Sequence, residues 1–75
     1  MHADQELCAR GLTCPLPILR TKKAMNGLNS GQVLRVIATD PGSVKDMESF
    51  CRQTDTTLLA TEEAEGAYAF ILRKG

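Results

Sequence analysis

The chain has 75 residues, 43% of them hydrophobic and 24% charged, which fits one domain spanning residues 1–75 near the lower size limit for an independent core. Nine basic residues balance nine acidic ones, and the aromatics are only Phe50, Tyr68 and Phe70, so neither charge nor stacking surface argues for strong direct binding to nucleic acid. Three cysteines at positions 8, 14 and 51 fit neither a zinc signature nor a paired disulfide framework.

The segment from Met1 to Glu6 lacks the basic and apolar regions of a signal peptide. No apolar run reaches the roughly 18 residues that a membrane span needs. A reducing cytoplasm with free thiols is the expected setting, without membrane contact, and neither a metal nor a cofactor is expected.

Glu6 to Arg10 reads as a short strand, with Leu7 and Ala9 on one face and Cys8 between Glu6 and Arg10 on the other. Gly11 breaks it. The next stretch, Gly11-Leu12-Thr13-Cys14-Pro15-Leu16-Pro17, runs into an amphipathic segment from Ile18 to Leu28. Two prolines this close together are tolerated only in the first turn of a helix, where the missing N–H belongs to a donor that has no intrahelical partner anyway. With Pro15 at the first helical position, Cys14 becomes the expected N-cap and Pro17 stays inside the first turn. Ile18, Thr21, Ala24, Met25 and Leu28 share the inward stripe, and Arg20, Lys22 and Lys23 lie mostly away from it. Asn29-Ser30-Gly31 reads as a helix stop and turn.

Gln32 to Thr39 is the clearest strand, apolar on both sides and interrupted only by Arg35, as a central strand with one wetted face would be. Asp40-Pro41-Gly42-Ser43 forms a turn in which Ser43 is the expected cap of a helix from Val44 to about Gln53, with Asp46 completing an approximate capping box. Val44, Met47, Phe50 and Cys51 form the apolar stripe of that helix. Thr56 to Thr61 reads as a strand, Glu62 to Gly66 as a polar turn, and Ala67 to Arg73 as the closing strand. The resulting order, βαβαββ, predicts an α/β (α+β) two-layer sandwich: a four-stranded mixed sheet with two helices on one face.

Cys14 is the leading chemical candidate. As an N-cap its sulfur would face the positive end of the helix macrodipole, which favours thiolate, the nucleophilic form. Cys8, six residues earlier, is read either as a partner that resolves an oxidised Cys14 through a disulfide or as a small filler on the sheet, the filler being favoured. Cys51 belongs to the core stripe. Arg10, Arg20, Lys22 and Lys23 are equally well explained as a solvated face or as a positive rim that lowers the thiol pKa and docks an acidic surface. His2, in a terminus expected to fray, makes no case for a catalytic base. Asp40, Asp46 and Glu48 are accounted for by turn and capping roles. The chain lacks a CxxC pair, a phosphate-binding glycine loop and a Cys–His pair, so it carries one activated sulfur and little machinery to use it alone.

The run Cys14-Pro15-Leu16-Pro17, followed by Ile18 to Ala24, resembles the CPxP signature of the TusA/SirA-like sulfur-carrier family. The likeness continues through Gly31, the Val33 to Asp40 strand with Pro41, and the closing Phe70 to Gly75. It implies a fold similar to the C-terminal domain of translation initiation factor three. It also implies that Cys14 carries a persulfide taken from a cysteine desulfurase or rhodanese-like donor and passed to an acceptor cysteine, in routes serving tRNA thiolation, sulfur oxidation or molybdenum-cofactor assembly. Pro15 and Pro17 would keep the helix start rigid, and Leu16 would be an apolar contact for the partner. The chain departs from the family at Cys8, where many members have Asp.

A monomer is expected when the protein is free. Two other readings compete: a redox-responsive regulatory or RNA-interacting module using Cys8 and Cys14, and, more weakly, a self-sufficient thiol enzyme.

Overall fold

The computed structural model describes residues 3–75, and the reading of His2 therefore lies outside the described residues. The chain runs β1 (Gln5–Ala9), α1 (Leu16–Asn26), β2 (Val33–Ala38), α2 (Ser43–Gln53), β3 (Thr56–Ala64) and β4 (Ala67–Lys74). The four strands form one sheet in the order β1-β2-β4-β3. β1 pairs parallel with β2, whereas β4 pairs antiparallel with both β2 and β3. β2 and β3 therefore also run in one direction, with β4 between them. Each helix connects two parallel strands and must run back along the sheet. Both helices consequently begin at the same edge, above the C-terminal ends of β1 and β2.

The two-layer sandwich with βαβαββ order is the predicted one. Ala9, Leu34, Val36, Ala38, Met47, Phe70 and Leu72 are fully buried, and Met25, Leu28 and Phe50 join them in one cluster between sheet and helices. The register places Leu34 opposite Leu72 and Val36 opposite Phe70 on the inner face. Arg35 lies opposite Ile71 on the outer face and pairs with Glu6 at 3.3 Å. The stripe expected on α1 is the buried one, extended by Pro17, whose carbonyl accepts a 2.8 Å hydrogen bond from the fully buried Thr21 hydroxyl. Cys51 is half-buried and packs against the core from its margin.

Three local expectations are corrected. Pro15, not Cys14, occupies the N-cap of α1, and Leu16 and Pro17 are its first two residues. Ser43 is the first residue of α2 behind an N-cap at Gly42. The preceding turn is closed by Asp40, whose Oδ1 accepts from the Gly42 N–H at 3.1 Å and whose carbonyl accepts from the Ser43 N–H at 3.0 Å.

The third correction concerns the polar run after Thr61. β3 continues to Ala64, and only Glu65 and Gly66 form the hairpin turn, with φ of 53° and 78°. Two successive positive φ values suit the twist of a two-residue hairpin. Glu62 and Glu63 are exposed residues of an edge strand, paired with Ala69 and Tyr68. A register shift between Leu58 and Ala60 marks a bulge at Leu59, which breaks the simple alternation along β3.

The opposite edge of the molecule is tied together. Lys74 Nζ donates to the carbonyls of Met25 and Leu28 at 2.9 and 2.8 Å, supplying partners to carbonyls at the end of α1. The Gly75 N–H donates to the Asp55 carbonyl at 2.7 Å, and the Gly31 N–H to that of Lys74 at 2.6 Å.

Candidate functional site: an exposed thiol between two helix starts

Cys14 lies in the loop between β1 and α1, one residue ahead of the helix cap, and is exposed. That loop is pinned from both sides. The Gly11 N–H, at a glycine with φ of 79°, donates to Thr39 Oγ1 at 3.0 Å. The Cys14 N–H donates to Asp40 Oδ2 at 2.6 Å. A single carboxylate thus bridges the Cys14 backbone and the turn leading into α2. The Cys14 sulfhydryl donates in turn to Asp46 Oδ2, in the first turn of α2, at 2.7 Å.

These contacts reverse the electrostatic expectation for the sulfur. The Cys14 thiol is held above its ordinary pKa, first by its hydrogen bond to Asp46, then by partial desolvation, and then by the negative charges of Asp46 and Asp40. A carboxylate in contact with sulfur outweighs the diffuse positive end of a helix whose cap lies one residue farther on. The thiol proton is therefore directed at Asp46 and held more tightly than that of a free cysteine. The sequence reading missed both carboxylates by assigning them to turn and capping roles. The signal lay in the topology: the βαβαββ order already implies that residues following β2 meet residues following β1.

A shallow groove of about 320 Å³ opens beside the sulfur between α1 and α2, lined by Pro15, Ile18 and Lys22 on one side and Asp46, Ser49 and Phe50 on the other. Leu16 and Leu19 are large apolar side chains left exposed on α1, at 42% and 51% of their full area. Leu16 was singled out from the sequence and Leu19 was not, although their spacing puts both on one side of the first turn. Arg20, Lys22 and Lys23 are exposed on the same helix and form no salt bridge among the described residues. Arg10 is not part of this rim. It lines a separate cleft with Arg35, Ile37 and Glu62, residues of the outer sheet face.

Cys8 is exposed on β1 between the inward-facing Leu7 and Ala9, hence on the sheet face away from the helices. The structure does not bring it together with Cys14, and all three cysteines are free. Among the described residues, no group of three His, Cys, Asp or Glu side chains could hold a metal ion. No described helix is long and apolar enough to cross a membrane.

The family profile of sulfurtransferase TusA matches residues 5–74, the whole folded unit with the Cys14 loop inside it. The chain belongs to the TusA family. It is 58% identical to the sulfur carrier protein TusA of Allochromatium vinosum, over 95% of this chain and 93% of that protein. It is 44% identical to a putative sulfur carrier protein of Bacillus subtilis over the full length of both. Among solved structures it resembles a SirA-like protein from Desulfitobacterium hafniense, with a TM-score of 0.74 at 24% identity over 95% of this chain and 97% of that one, a likeness of fold. The family suggested by the CPxP run is thus the family shown, and TusA membership makes this chain a sulfur carrier.

Proposed function

We propose that Cys14 is the sulfur-carrying residue, and that it takes a persulfide sulfur from a cysteine desulfurase or rhodanese-like donor and relays it to a cysteine of an acceptor protein. The observation that carries this reading is the position of Sγ: exposed and unbridged, at the open edge where two helices begin. A carrier must present one sulfur to two different proteins in succession, and a sulfur on a loop braced by rigid elements suits that task.

In the loading step Sγ bonds to the outer sulfur of the donor persulfide, and the donor's S–S bond breaks to leave its thiol. In the unloading step an acceptor thiol attacks that same outer sulfur and Cys14 departs. Pro15 and Pro17 restrict the backbone at the start of α1, so the loop keeps its aim through both steps. Leu16 and Leu19 supply an apolar contact beside the sulfur, and Arg20, Lys22 and Lys23 a basic rim for an acidic partner surface. The downstream route, whether tRNA thiolation, sulfur oxidation or molybdenum-cofactor assembly, is set by which acceptor fits this surface. A reducing cytoplasm keeps the thiol available.

Incubation with a cysteine desulfurase and cysteine, followed by intact-mass spectrometry, tests the proposal. Wild-type protein should gain the mass of one sulfur and Cys14→Ser none. A gain that survives Cys14→Ser, or no gain by the wild type from either a desulfurase or a rhodanese-like donor, overturns it.

A further inference from the structure

Carrier chemistry needs a sulfur that can both attack and leave, yet the structure surrounds Cys14 with negative charge. Asp46 reaches Sγ from α2 at 2.7 Å, and Asp40 reaches the Cys14 N–H from the β2–α2 turn at 2.6 Å. From α1, Lys22 is the cation lining the same groove, and the Gly11-Leu12-Thr13 approach carries no ionisable side chain. Asp46 is half-buried on the first turn of a helix whose Met47 and Phe50 are anchored in the core, so its carboxylate is held at the sulfur by the fold. Asp40 is engaged by two backbone N–H groups, one through each oxygen. Among the described residues, only Asp46 is placed to exchange a proton with the sulfur itself.

Building on the carrier reading, we infer that Asp46 is the proton-transfer residue of this site: it takes the Cys14 proton and passes it to the departing donor thiolate as sulfur is loaded, and it delivers the acceptor's proton to Cys14 as sulfur is handed on. At rest the pair is Cys14–SH with the Asp46 carboxylate. When Sγ bonds to the outer sulfur of a donor R–S–SH, the donor S–S bond breaks and its electron pair leaves on the inner sulfur. The Cys14 proton passes to Asp46 and from there to that leaving thiolate. The balance is Cys14–SH plus R–S–SH giving Cys14–S–SH plus R–SH, with no external oxidant or reductant. In unloading the sequence reverses: the acceptor's proton reaches Asp46, which protonates the departing Cys14 sulfur, as microscopic reversibility requires. A neutral resting thiol is also protected from stray electrophiles, because thiolate is the reactive form.

The test combines two measurements on wild type, Asp46→Asn and Asp46→Glu. One is the pH profile of iodoacetamide alkylation at Cys14, read by peptide-resolved mass spectrometry so that Cys8 and Cys51 are counted separately. The other is the rate of sulfur gain from cysteine persulfide at pH 7. Asp46→Asn removes the charge and the proton site while keeping the shape. Alkylation at pH 7 should rise several-fold, and sulfur gain should fall by about 100-fold, the lower end for loss of a general acid–base group. Asp46→Glu should restore part of the rate.

A parallel rise in both rates for Asp46→Asn would make Asp46 a brake rather than a proton carrier and overturn the inference. Unchanged values for both would do the same. Should Asp46→Asn fail to fold, Asp46→Glu decides: slower sulfur gain together with a shifted alkylation profile upholds the inference, and wild-type values in both measurements or a parallel rise in both overturn it. If the wild type gains no sulfur from a donor, the carrier reading fails, and the alkylation profile alone decides whether Asp46 holds the proton.

Discussion

The two edges of this sheet are built on opposite plans. Where α1 and α2 begin, polar groups gather around one exposed atom: a sulfur, the Asp46 carboxylate in contact with it and an open groove beside them. Where α1 ends, the same kinds of group are consumed in tying. The Lys74 ammonium sits on two α1 carbonyls, and the last residue pairs with the Asp55 carbonyl. One edge carries the proposed chemistry and the other ties the fold. Parallel crossovers make this division available because they gather all helix starts on one side and all helix ends on the other.

Substitutions at the two edges, and in the core beneath both, should therefore separate stability from sulfur loading. Phe70→Ala should have the largest effect on stability, because the ring is fully buried in the core cluster; about 3–5 kcal/mol would be lost. That is a large share of what a domain of this size has, so the urea midpoint should collapse for both edges in one transition. Separate unfolding of the two edges would break the comparison.

Lys74→Met should follow, at about 1–3 kcal/mol, because it strips two carbonyls of a charged donor at a partly buried site. Its sulfur gain, measured on the folded protein, should match the wild type. A loading defect here would mean that the tied edge contributes to the chemistry.

Cys14→Ser should abolish loading while leaving the urea midpoint at neutral pH close to that of the wild type, as expected for an exposed position. Its subtler signature is alkaline. The folded protein holds the Cys14 proton more tightly than the unfolded chain, whose thiol has the ordinary value of 9.0. The resulting share of stability is fully present below that value and is lost as pH rises through the higher folded one. Cys51, raised by burial, contributes in the same direction. Cys14→Ser should therefore lose stability less steeply than wild type in urea titrations above pH 9.0; a steeper loss would contradict the assigned proton site.

The readings that succeeded rested on near neighbours in the chain. The βαβαββ order followed from apolar periodicity, and the start of α1 beside Cys14 was legible because two prolines within three residues mark the start of a helix. Even so, the cap fell on Pro15 rather than Cys14, a shift of one residue that takes the sulfur out of the capping position. The polar run from Glu62 was misread as a turn because an exposed edge strand tolerates glutamates, so polarity alone does not end it. Arg10 looked close to Cys14 in sequence, yet a residue at the end of β1 and one ahead of α1 are turned to different clefts by the intervening loop.

Alone, the amino-acid sequence determined the order of the elements, the core stripes and the family, and it singled out Cys14 as the candidate sulfur. Each of these is written in periodicity or in residues a few positions apart. Tertiary structure alone decided which charges surround that sulfur and so in which direction its pKa moves. Its governing partners, Asp40 and Asp46, lie 26 and 32 residues away and reach it only because both crossover helices start at one edge of the sheet. A thiol's charge depends on what stands within a few ångströms of it, and local sequence does not carry that distance.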